Sequence, residues 1–176
     1  AWMAKCFGYD PGTETWNLKE LATIAPTKLS TEQKKALGAK NINTFLRYAG
    51  CNCAMGGMTL AGEWIDVIRF RDWLKNELQI RTFNALKTNR KVPFTDGGIG
   101  LIEGVMDSTL KDGQDIGGIA PTEYDDDDNP IYGYSVTVPK ASDLTEAERK
   151  SRKLTGCKWS ARLAGAIHAV EISGNL

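Results

Sequence analysis

The strongest constraint in this 176-residue chain is an apolar stripe in residues 63–86, EWIDVIRFRDWLKNELQIRTFNAL. Trp64, Val67, Phe70, Leu74, Leu78 and Ala85 fall at three- and four-residue steps, the spacing that brings side chains onto one face of an α-helix. Asp72, Lys75, Asn76 and Gln79 take the opposite side. Trp73 and Ile80 form a smaller apolar patch off the main stripe and ask for a second packing surface. Burying one Leu or aromatic side chain stabilises a fold by about 1.5–3 kcal/mol. A helix of this kind therefore organises a core, and the chain is long enough for one ordinary domain and short for two.

The rest of the pattern supplies a second helix and several short strands. Pro93 breaks the first helix, and Thr95 is a good N-cap for another over residues 96–112, whose Ile99, Ile102, Val105, Met106 and Leu110 share a face. Ser30 and Gln33 have capping-box spacing at the start of a short helix that Gly38 closes, and SDLTEAERKSRK reads as a short charged helix. Asp10-Pro11-Gly12 is turn chemistry, followed by a strand over residues 15–19. Alternation at Ile42, Thr44, Leu46 and Tyr48, and again at Tyr132, Tyr134, Val136 and Val138, predicts strands; CKWSARL and AIHAVEISGNL make the final two. The class is α+β: two main helices packed on a small mixed or antiparallel sheet.

Composition removes several functions. Twenty-two basic residues balance 22 acidic ones, whereas a nucleic-acid binder carries a basic excess. No apolar run reaches the ~20 residues of a membrane span. The four consecutive aspartates from Asp125 to Asp128 lack the alternating ligands, bend glycine and distal Glu of a calcium loop, and read as a solvated hairpin loop. TDGGIG lacks the Lys-Ser/Thr of a phosphate loop and reads as a flexible first turn of a helix. Cys51-x-Cys53 is not a C-x-x-C pair; with Cys6 and Cys157 these are read as buried small residues or free thiols. No metal or cofactor is expected.

His168 is the one histidine. No Ser, Cys or acid pattern beside it suggests a triad, and on strand alternation it shares a face with Val170 and Ile172. A packed structural role is favoured over a hydrolase built on this residue. Basic residues gather at Arg69, Arg71, Lys75, Arg81, Lys87, Arg90 and Lys91, and again at Arg149, Lys150, Arg152 and Lys153. They suit solvated helix faces or attachment to an acidic protein surface.

Several stretches, in order along nearly the whole chain, resemble the C-terminal part of contractile phage tail sheath proteins, more narrowly the sheath family first catalogued as a phage domain of unknown function. The stretches are AWMAKCFGYDPGTETWNLKEL, GEWIDVIRFRDWL, KVPFTDGGIGLIEGVM, YSVTVP and RLAGAIHAVEISG. The resemblance implies a non-enzymatic structural subunit that polymerises helically around a tail tube and contracts to drive the tube through the host envelope. Partners would be further copies of the chain, the tube protein, and baseplate and tail terminator proteins, in a virion tail assembled in the host cytoplasm. Another tail or baseplate component of the same fold is the alternative. The resemblance further implies that neighbouring subunits complete the sheet. Ala166, Ile167, His168, Ala169, Val170, Glu171 and Ile172 are then the expected intersubunit strand, and Arg69, Lys75, Arg81, Arg149 and Arg152 candidate tube contacts. Residues 1–176 are expected to form one assembly domain, part of a longer subunit.

Overall fold

The computed structural model describes residues 1–174. In chain order the elements are α1 (Trp2–Cys6), α2 (Thr31–Gly38), β1 (Thr44–Tyr48), β2 (Cys51–Met55), α3 (Ile65–Thr88), α4 (Asp96–Asp115), β3 (Glu123–Tyr124), β4 (Pro130–Ile131), β5 (Tyr134–Thr137), a 3₁₀ turn (Ala141–Asp143), α5 (Glu146–Ser151) and β6 (Lys158–Ala161). This is the α+β class, with one difference from the expected single sheet. The strands form three separate two-stranded antiparallel ladders, β1–β2, β3–β4 and β5–β6. The chain divides into two compact units, Ala1–Phe70 with the segment from Gly165 on, and Arg71–Ala164.

The first unit is built around Trp16, which is 1% exposed. Trp2 and Phe7 pack edge-on against it, with centroids at 5.2 and 5.3 Å, and the Trp2 indole N–H donates to the Trp16 carbonyl at 3.0 Å. The short helix α1 that carries Trp2 was not expected from the sequence, because five residues are too few to show a period. The expected strand over residues 15–19 reduces to a single bridge between Lys19 and Ala54. β1 and β2 meet through Ala49 and Gly50, both at positive φ (48° and 86°), the backbone a two-residue hairpin turn requires. Leu46 and Cys53, paired on one face of this ladder, and Ala54 on the other are buried. Asn43 fastens the following loop: its carbonyl accepts from the Gly57 and Met58 amides, and its amide donates to the Met58 carbonyl.

The second unit is organised by α4. Thr95 caps it by accepting from the Gly98 amide, and Ile99, Ile102, Met106 and Leu110 are buried along one face. Thr109, also fully buried, spends its hydroxyl on the Val105 carbonyl at 2.7 Å. The Gly-rich stretch forms the first turn of α4. A Cβ on Gly98 would stand 2.0 Å from the Pro93 carbonyl oxygen, so glycine there permits close backbone approach. Arg81 on α3 is held by Asp112 of α4 and by Glu77 at 3.0 Å. Tyr134↔Ala161 through Thr137↔Lys158 set the β5–β6 register, and beyond it residues 162–164 bond to Gly118 and Ala120. Gly133 lies against the Ala120 carbonyl with no room for a Cβ.

The α3 stripe is buried at its middle, with Phe70, Leu74 and Leu78 at 9% exposure or less. Trp64, Val67 and Ala85 are half-buried. Off the stripe, Trp73 is half-buried and Ile80 is exposed.

Candidate assembly surfaces

The terminal segment and the basic side chains were the sequence candidates, and the fold treats them differently. Residues 165–174 enter no helix and no ladder, so the last expected strand is absent from the chain itself. The reason is physical: a strand exists only with a partner to take its N–H and C=O groups, and among the described residues none forms a ladder with this segment. Ile167, Val170 and Ile172 are 85%, 73% and 91% exposed. His168 is the exception. Its Nε2 lies 2.7 Å from the Thr15 hydroxyl, and its ring stands edge-on to Trp64 at 4.5 Å. The segment is therefore clasped at one side chain while the apolar residues around it face water.

Thr15 and His168 are within hydrogen-bond reach, and among the described residues no carboxylate is hydrogen-bonded to the imidazole to complete a triad. The adjacent Glu14 is 1% exposed and committed to Arg69. Neither Thr15 nor Trp64 is marked by the sequence as a partner of His168, since 153 and 104 positions separate them from the histidine.

Of the five candidate tube contacts, three are engaged inside their own unit. Arg69 is 16% exposed; besides Glu14 it donates to the carbonyls of Cys6 (3.1 Å) and Tyr9 (3.0 Å), and its guanidinium lies over the Phe7 and Trp16 rings. The Asp112 carboxylate, and next the Glu77 carboxylate, hold the Arg81 guanidinium above its ordinary pKa against the cost of burial. Arg149 donates to the carbonyls of Phe94 at 2.8 Å, Leu144 at 3.4 Å and Ala141. It thereby ties the loop before α5 to the start of α4, where Ala141 also donates to Asp96. Lys75 and Arg152 are exposed.

Two open features remain in the second unit. On one side β6 pairs with β5; on the other, among the described residues, only Ile119 bridges to the chain just after it, at Leu163. The edge of residues 158–160 is therefore free, a template for a further strand. Nearby in sequence, Trp159 lines a groove of about 700 Å³ with Phe83, Leu86, Phe94, Ile102 and Met106, and Arg152 and Lys153 stand among its polar residues.

The aspartate run is a closed loop between β3 and β4. Asp125 accepts from the amides of Asp127 and Asn129 and from the Asn129 side chain, and the Asn129 amide chiefly holds its carboxyl below the ordinary range. All four cysteines are free thiols, Cys6 and Cys53 buried, Cys157 half-buried and Cys51 exposed.

Comparison with known proteins follows this geometry. Residues 65–176 match the family described as E217 tail sheath protein gp31-like, C-terminal domain. The chain belongs to this tail sheath family. Its fold is that of two solved assemblies of the anti-feeding prophage. A chain of the 6-fold symmetrised baseplate matches with a TM-score of 0.71 at 16% identity, over 99% of this chain and 48% of that one. A chain of the contracted helical sheath matches with a TM-score of 0.72 at 16% identity, over 98% and 48%. The sheath-family chain thus spans about half the length of the structures it matches. No curated protein sequence matches it.

Proposed function

We propose that this chain is the C-terminal assembly module of a contractile tail sheath subunit, which polymerises helically around a tail tube and shortens to drive the tube through an envelope. Membership of the sheath family carries the reading, and the bare apolar segment at residues 165–174 supports it. A segment that one copy exposes and another receives makes a heterologous contact, and contacts of that kind generate helical arrays when they do not close into rings. Residues 166–172 act as the donated strand. With about five interstrand hydrogen bonds at a net ~0.5–1.5 kcal/mol each, one strand supplies several kcal/mol before side-chain packing. Flexible links of this type persist while rigid bodies rotate, as shortening demands.

The same reading takes residues 1–176 as one assembly module. It places the protein in the virion tail after assembly in the host cytoplasm, with tube, baseplate and terminator proteins as neighbours, and gives it a structural role in place of catalysis. Of the five candidates for tube contact, Lys75 and Arg152 are exposed, and the contact falls to Lys75. A baseplate component of the same fold is the second reading, favoured by the baseplate match. Electron microscopy of the full-length protein separates them: extended tubes support a sheath and closed rings a baseplate part. A monodisperse monomer under every assembly condition refutes both. Deletion of residues 166–176 abolishes tubes while far-UV circular dichroism keeps its helical signal; tubes formed without the segment would remove it from the interface.

A further inference from the structure

Two bare surfaces of this chain have matching chemistry. The groove is lined by Phe83 and Leu86 of α3, 64% and 52% exposed, together with Met106 of α4 and Trp159 of β6. Its charged lining residues are Arg152 and Lys153, and no carboxylate lines it. The segment 165–174 is its complement: three exposed aliphatic side chains, one carboxylate at Glu171, and no Lys or Arg. His168 is clasped by Thr15 and Trp64 of its own unit, so the residues from Ala169 on reach a neighbour with the clasp closed, and donation of the whole strand 166–172 requires the clasp to open. Six extended residues reach about 20 Å, with Val170 and Ile172 on one side and Glu171 on the other.

We infer that the groove is the seat of residues 169–174 from a second copy of the chain, with Val170 and Ile172 entering among Phe83, Leu86 and Met106 and Glu171 turned to the Arg152–Lys153 rim. The groove lies in the size range of small-molecule pockets, but such pockets fix their ligand through a few converging polar groups. Here the positive rim meets a carboxylate and the floor meets aliphatic chains, which is the pairing that sets register between two protein surfaces. The inference rests on the sheath reading, because it names where the donated segment lands.

Sedimentation of the full-length protein tests it. Phe83→Asp and Ile172→Asp, both at exposed positions, each weaken self-association at least about tenfold and leave the thermal transition unchanged; Leu86→Asp repeats the first result. Mixed one to one, the two variants form a dimer that does not extend, because one keeps an intact segment and the other an intact groove. Glu171→Lys also weakens association, and Arg152→Glu with Lys153→Glu restores it. Wild-type tubes together with undiminished tubes from Phe83→Asp overturn the groove assignment and leave the sheath reading standing. A wild-type protein that never associates overturns both. A monomer whose own segment is protected from proteolysis in the groove overturns the second copy as occupant.

Discussion

Replacing Arg69 with Met tests whether the first unit depends on a buried ion pair. The partner carboxylate, Glu14, is 1% exposed and Arg69 is 16% exposed, so neither charge can turn to bulk water without moving backbone. Removing one member of such a pair costs about 3–5 kcal/mol, since the other is left charged in a poorly solvated place. The Cys6 and Tyr9 carbonyls also lose their donor, which moves the expectation to the upper half of that range. At roughly 2–4 °C per kcal/mol for a chain of this length, the midpoint of unfolding falls by about 8–20 °C. Met keeps the aliphatic stem, while the guanidinium's place over the Phe7 and Trp16 rings is lost together with the charge. Urea unfolding of the parent, Arg69→Met, Glu14→Gln and the double variant closes the cycle. The double variant recovers part of the loss, because Gln at position 14 no longer needs a cation while it keeps the Gly12 amide as a donor. A single variant within about 1 kcal/mol of the parent, or a cycle additive within about 0.5 kcal/mol, would refute the pair as a stabilising unit.

Glycines of α4 should respond to Ala with opposite signs. Gly98→Ala drives a Cβ into the Pro93 carbonyl and destabilises by about 1–3 kcal/mol, whereas Gly100→Ala and Gly104→Ala have open space and gain about 0.5–1 kcal/mol each; thermal unfolding reads all three. Alkylation followed by mass spectrometry should label exposed Cys51 first, because burial raises the Cys6 and Cys53 thiols and shields them. Equal rates at Cys51 and Cys6 would contradict the burial. The Asp125 carboxyl should titrate below an ordinary Asp by NMR. Its folded pKa is depressed, so its contribution is present above the usual ~3.9 and is lost as pH falls through the folded value. Asn129→Ala moves it only partway up, since the backbone amide at that position remains. An Asp125 titration at the ordinary value would refute the closed loop.

What sequence reveals here depends on distance along the chain. The capping box at Ser30 and the Thr95 cap appear where expected, because a cap is a bond across three residues. The α3 and α4 faces are legible because period and burial are both local to one helix. The Arg69–Glu14 pair joins positions 55 apart, and Arg69 therefore looked like one more surface cation. Arg149 misled for the same reason, since its acceptors are backbone carbonyls that no side-chain pattern announces. Trp16 sits in a turn-rich stretch with no periodicity, yet it is the centre of its unit. The segment around His168 shows the opposite failure. Its alternation is real, but alternation records a wish for two neighbours, and a single copy contains neither.

Short ladders have a consequence for the order of events during assembly. β1–β2 closes through two residues and β3–β4 through five, so both pairings carry little loop-closure entropy and form on the microsecond scale of hairpins. α3 and α4 are equally local. These local elements form quickly, whereas the Arg69–Glu14 pair and the Thr15–His168 contact must close long loops and come later. In the proposed assembly, subunits then arrive at a growing end already shaped, and the slow, concentration-dependent step falls to the few C-terminal residues assigned to the contact. Growth rate and folding rate become separately adjustable, one by editing the terminal residues and the other by editing the helices.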